Sequence, residues 1–189
     1  MTKPVIRDVH EEAGTVDSLA ENAPRAAILV LGLGNELLKD DAVGIRVAEK
    51  LQGTLPDGIE VRSTPLFGLA LLDDLISREK VLLIDSYLPE EFAASDIREI
   101  DLDSLGDFRA ACPHSVGLTE IREIMRSLDL GFPREVCVLA IPVTDPLTFS
   151  TKMSPEVSAS VDEAAKHAQR IVRTWLLNAK NRADARHQS

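Results

Sequence analysis

The sequence predicts an α/β sandwich built on a mainly parallel sheet, and three observations carry that prediction. Three short runs, Ile28–Leu31, Val81–Ile84 and Val136–Ile141, are wholly apolar, as strands covered on both faces must be. Between them lie segments with a single apolar stripe at helical spacing, so strands and helices alternate. No internal repeat or second-domain boundary interrupts the pattern in 189 residues, a length suited to one domain. In such sheets ligands collect at the carboxyl ends of the strands.

Taken in order, residues 1–25 are polar and mixed in charge, which predicts a flexible N-terminal extension with His10 facing solvent. The domain proper spans 26–178. Ile28–Leu31 is the first strand, and Gly32, Gly34 and Asn35 supply the tight turn that follows. Asp40 stands where a helix N-cap belongs; Val43, Val47 and Leu51 form one stripe, and Gly53 stops the helix. Asp41, one residue into that helix, is the freer carboxylate. Ile59–Val61 is a short strand, Ser63–Gly68 a loop and Leu69–Ile76 a short helix.

The second apolar strand, Val81–Ile84, ends in Asp85. Ile97–Ile100 reads as a strand, and a longer loop carries Cys112-Pro113-His114-Ser115. Val116–Leu128 has Ile121, Ile124, Met125 and Leu128 on one face, with Gly131 and Pro133 as stops. Val136–Ile141 is the third apolar strand, followed by a proline-punctuated loop. Ser154 then caps the last helix, with Pro155 at its first position. Val157, Val161, Ala164, Ala168, Ile171 and Trp175 form its apolar stripe, simpler as a core face than as a coiled-coil seam. The tail, 179–189, is polar.

Composition closes off several classes. A net charge of −10 opposes a nucleic-acid partner, which needs a surplus of Lys and Arg. No apolar run approaches the ~18 residues of a membrane span, and no signal-peptide core is present. Two cysteines, Cys112 and Cys137, form no C-x-x-C and no disulfide framework. A cytoplasmic monomer is the default expectation.

The residues expected at strand ends are Asp41, Asp85 and His114. Each has a bland alternative: first-turn dipole complementation for Asp41, local backbone satisfaction for Asp85, a cap or surface role for His114. Together, two carboxylates and one imidazole suit a divalent transition ion with open positions. Cys112 could join as a ligand or nucleophile, although free cysteines are usually small buried hydrophobes. A dinucleotide site is disfavoured, because Leu37 occupies the third glycine position of G-x-G-x-x-G and two acids crowd the helix mouth. No G-x-S-x-G elbow and no H-E-x-x-H occurs.

The string Gly32-x-Gly34-Asn35-x-x-x-x-Asp40-Asp41-Ala42-x-Gly44 resembles the opening motif of the hydrogenase maturation proteases. The match continues through Asp85, Pro113-His114-x-x-Gly117-Leu118, Ile141-Pro142 and Ser154-Pro155-x-Val157, from about Ala26 to Trp175. The resemblance implies a three-layer α/β/α sandwich and one hydrolytic cut that releases a C-terminal peptide from a nickel-iron hydrogenase large-subunit precursor. It places the family's metal-contacting and catalytic positions on Asp41, Asp85 and His114, with nickel carried by the substrate and zinc or cadmium as possible substitutes.

In one place the chain departs from the family. An Asp-Gly-Gly-Thr-like loop is replaced by Ser63-Thr64-Pro65-Leu66-Phe67-Gly68, which keeps only Gly68 in register. This leaves open a non-catalytic descendant that binds nickel or precursor. Gly32-Leu33-Gly34-Asn35 also resembles the start of peptidyl-tRNA hydrolases, but residues 36–60 lack the histidine that family needs.

Overall fold

The computed structural model describes residues 25–89, 96–104 and 117–187. Among the described residues five strands form one sheet: β1 (Ile28–Leu33), β2 (Ile59–Thr64), β3 (Lys80–Tyr87), β4 (Arg98–Asp101) and β5 (Glu135–Pro142). Their order is β2-β1-β3-β5-β4, with β4 alone antiparallel. The helices are α1 (Val43–Leu51), α2 (Leu72–Leu75, entered through a 3-10 turn at Gly68–Leu71), α3 (Leu118–Ser127) and α4 (Pro155–His187).

The wholly apolar strands are explained by the two cores they separate. Leu29, Leu31, Leu33, Val81, Leu83, Val136 and Val138 pack on one face with Leu71, Leu75, Ile121 and Met125. Val30, Leu82, Ile84, Leu139 and Ile141 pack on the other with Val43, Val47, Leu51 and the α4 stripe from Val157 to Trp175. Side chains alternate along each strand, so a strand between two helical layers must be apolar at every position. Each fully buried Leu or Val contributes about 1.5–3 kcal/mol. The three-layer α/β/α arrangement follows.

Several boundaries differ from the sequence reading. Val81–Ile84 extends to Tyr87, so Asp85 lies inside a strand. β2 runs on through Ser63 and Thr64, paired with Gly32 and Leu33, so the loop after it begins at Pro65. The helix expected over Leu69–Ile76 divides into a 3-10 turn and one α-turn, since so short a segment cannot propagate a regular helix. α4 continues through the polar segment to His187. The expectations for residues 1–24, His10 included, lie outside the described residues, as do those for Cys112, His114 and the rest of 105–116. Among the described residues, no helix is long and apolar enough to cross a membrane.

Candidate active site

Chain order reverses between β1 and β3. From β1 the chain passes through α1 on one face to β2, then returns by way of α2 on the opposite face to β3, on β1's other side. This is the switch point at which open α/β sheets form a crevice. Asp41 and Asp85 both belong to it.

Asp41 is held by the turn that leaves β1. Gly34 has φ +143, and a Cβ there would stand 2.0 Å from the Asp41 carbonyl oxygen, so only glycine lets the turn close on itself. The Asn35 N–H then donates to Asp41 Oδ2 at 2.8 Å, while Asn35 Oδ1 accepts from the Leu37 N–H at 3.0 Å. Asp41 Oδ1 accepts from the Ser86 hydroxyl at 3.0 Å, and the residue is 4% exposed.

Asp85 is fully buried. The last β1–β3 pair is Gly32 with Ile84, whereas β3 continues beside β5, pairing Asp85 with Ala140. Asp85 therefore sits at the first level where β1 has left the sheet. Its Oδ1 accepts from the Ser86 N–H at 2.8 Å. Ser86 thus donates to both carboxylates, through its hydroxyl and its amide. Buried carboxylates require such donors to remain in place. Two acids that are far apart in sequence converge on one serine.

Asp40 does not cap α1, contrary to the sequence reading. The helix begins at Val43, with Ala42 in the cap position and no side-chain cap bond. Asp40 and Asp41 precede it, in the turn. The Asp40 carboxylate is fully buried and reaches across the molecule. Its Oδ1 accepts from the Ser154 N–H at 2.7 Å. Its Oδ2 accepts from the Ser154 hydroxyl at 2.9 Å, the Asp145 N–H at 3.0 Å and the Thr144 hydroxyl at 3.2 Å. Burial opposes ionisation, but these donors outweigh it and hold the carboxyl below its ordinary pKa. Ser154 begins α4 as expected, its carbonyl accepting the Ser158 N–H, while its hydroxyl serves Asp40.

His114 lies outside the described residues, so the structure joins two of the three expected site residues. The described chain resumes at Gly117, which has φ +95 and packs against Gly68; a Cβ on Gly117 would come within 3.3 Å of the Gly68 Cα. The glycine retained from the departed loop motif therefore meets the glycine of Pro113-His114-x-x-Gly117.

Among the described residues, no group of three or more His, Cys, Asp or Glu is placed to hold a metal. Asp41 and Asp85 offer oxygen donors oriented by Ser86 and Asn35, which is the support metal-binding carboxylates require. Cys137 is no candidate nucleophile: burial first, then Glu99 and Asp101, push its thiol up to about 12. Ser86 and the Asp40 cluster are the site features that sequence reasoning missed.

No family model matches the chain. It is 27% identical over 151 residues to the hydrogenase 2 maturation protease of Escherichia coli strain K12, covering 77% of this chain and 90% of that protein. Among solved structures it superposes on the hydrogenase maturating endopeptidase HybD from E. coli with a TM-score of 0.67. That match has 26% identity and covers 78% of this chain and 92% of that one. The NiFe hydrogenase maturation protease HybD from Thermococcus kodakarensis shares the fold, with a TM-score of 0.59 at 20% identity over 76% of this chain and 97% of its own. The opening glycine–aspartate turn and the switch-point aspartates thus stand in a chain that is similar in sequence and fold to hydrogenase maturation proteases.

Proposed function

We propose that this chain is an endopeptidase that removes the C-terminal extension of a nickel-iron hydrogenase large-subunit precursor once nickel has been inserted. The observation that carries the reading is the convergence of buried Asp41 and Asp85 on Ser86 at the switch point, in a chain similar to hydrogenase maturation proteases. Asp41, Asp85 and His114 contact the nickel that the substrate brings, an O,O,N set that leaves coordination positions for the precursor's own ligands. The metal is thereby a recognition element that places the scissile bond. Water serves as the nucleophile in this reading, with Cys137 buried and held as a thiol among the described residues. Zinc or cadmium serve as binding probes in place of nickel.

The test is to incubate the protein with nickel-loaded precursor and weigh the products, alongside His114→Ala. Release of a discrete C-terminal peptide by the wild type, with loss of cleavage and of nickel binding in a normally melting variant, is expected. An intact precursor that co-purifies with the wild type would favour the non-catalytic binding reading. The altered segment after β2 motivates keeping that reading in the test.

A further inference from the structure

Nine large apolar side chains stand exposed among the described residues, and seven lie on segments that leave the carboxyl ends of β1, β2, β3 and β5. These strands are parallel, so the seven share the edge of the sheet that carries Asp41 and Asp85. Phe149 at 83% and Leu147 at 80% exposure belong to the β5–α4 loop; Leu37, at 58%, belongs to the β1–α1 turn. Scattered exposed leucines need no explanation, but concentration on one edge does.

These two loops are zipped together. Leu38 and Phe149 form an antiparallel bridge, flanked by Lys39 N–H to the Thr148 carbonyl and Ser150 N–H to the Leu37 carbonyl, both at 3.0 Å. The Asp40 N–H donates to the Asp145 carbonyl at 3.2 Å, above the buried Asp40 carboxylate cluster. Lys39 and Asp145 pair at 2.9 Å, so the unit's cation and one of its anions offset each other. The result is an apolar ledge already ordered before anything binds, which removes an entropic cost of association.

We infer that this ledge, crested by Leu37, Leu147 and Phe149, is the docking surface for an apolar segment of the precursor polypeptide; the inference rests on the proposed function. Continuity identifies the occupant. Leu37 precedes Asp41 by four residues in one hydrogen-bonded turn, and the ledge and both carboxylates share one edge of the sheet, which puts the ledge within reach of a polypeptide that presents a bond to Asp41 and Asp85. Charge argues against a second copy of this chain, since two chains of −10 repel.

The experiment compares wild type, the triple variant Leu37→Ser/Leu147→Ser/Phe149→Ser, and the control Leu128→Ser/Leu177→Ser, whose leucines are exposed away from this edge. Melting curves check folding, which exposed side chains should not disturb. The probe is a nickel-containing large-subunit precursor that retains its C-terminal extension. Expected is a rise of roughly tenfold or more in Kd and KM for the triple variant, with kcat within about twofold and the control unchanged. Normal cleavage with unchanged KM and Kd overturns the ledge and leaves the peptidase reading standing. Binding without cleavage in the wild type, lost in the triple variant, supports the ledge and sinks the peptidase reading. A wild type that neither binds nor cuts overturns both. A triple variant that merely turns a dimer into monomers, with precursor affinity kept, makes the ledge a self-association surface and overturns the inference.

Discussion

Ser86 is the side chain through which the two site carboxylates share one geometry. Its hydroxyl fixes Asp41 and its amide fixes Asp85. Ser86→Ala removes the hydroxyl donor and keeps the amide, so Asp41 loses a constraint while Asp85 keeps its own. Nickel affinity, measured by titration calorimetry, is expected to fall roughly 10–100-fold, the usual cost of losing a supporting partner of a metal-binding carboxylate. Unchanged affinity would make Ser86 a structural residue only. The placement of Asp41 and Asp85 toward the carboxyl end of the sheet was legible in the sequence because each follows an apolar run, and ligands collect at that end of parallel sheets. Ser86 was not, because its role arises only once β1 and β3 lie side by side.

The elements are joined at the site by Asp40. Capping signals are read within four residues, but the donors to Asp40 lie 104 to 114 residues away, which is why the sequence reading placed its carboxylate on the wrong partner. The available hint was that no apolar stripe begins before Val43. Asp40→Ala strands the Ser154 and Asp145 amides in a buried place, and should cost roughly 3 kcal/mol or more by urea unfolding at pH 7. The pH dependence follows from the lowered pKa of the folded state. The carboxylate's contribution is fully present above its unfolded pKa of about 3.9 and is lost as pH falls through the lower folded value. The gap between wild type and variant should therefore narrow in strong acid; a gap that stays constant would mean Asp40 ionisation is irrelevant.

The β2–α2 connection makes a second test at this scale. Thr64 is still part of β2, and its hydroxyl accepts the Leu66 N–H at 3.1 Å. Grafting Asp-Gly-Gly onto 63–65 removes that bond and puts glycine in a strand, at a cost of about 1 kcal/mol in stability. The larger expected change is in which precursors are processed, read from cleavage rates on a panel. Equal rates on every precursor before and after the graft would refute a role in partner choice. The stripes placed the bodies of α1, α3 and α4, whereas β2 and β3 were read three residues short at their carboxyl ends, where charged and hydroxyl-bearing residues interrupt the apolar run.

Across the whole molecule, the two cores account for most of what the sequence made legible: alternation of strand and helix, and both apolar faces. The antiparallel placement of β4 beside β5 was not legible, since pairing direction leaves little trace in a four-residue strand. The last buried side chain of α4 is Trp175, and the described side chains beyond it are exposed or half-exposed. Deleting 179–189 should change the unfolding free energy by less than about 1 kcal/mol. A collapse of the melting transition would show that this polar stretch packs on something.

The long reach of Asp40 also sets a time order. The turn that presents Asp41 is completed by Thr144, Asp145 and Ser154, which come late in the chain. Contacts of such separation form slowly, because a long loop must close before they return any stabilisation. During refolding, amide-exchange labelling should find Lys39 and Asp40 protected together with Thr148–Ser154, and later than the β1–β3 pairs. Protection of the turn in a chain that stops before Ser154 would contradict this. A growing polypeptide consequently carries an unassembled aspartate turn until its final helix lands, and synthesis itself withholds that geometry until the last segment has emerged.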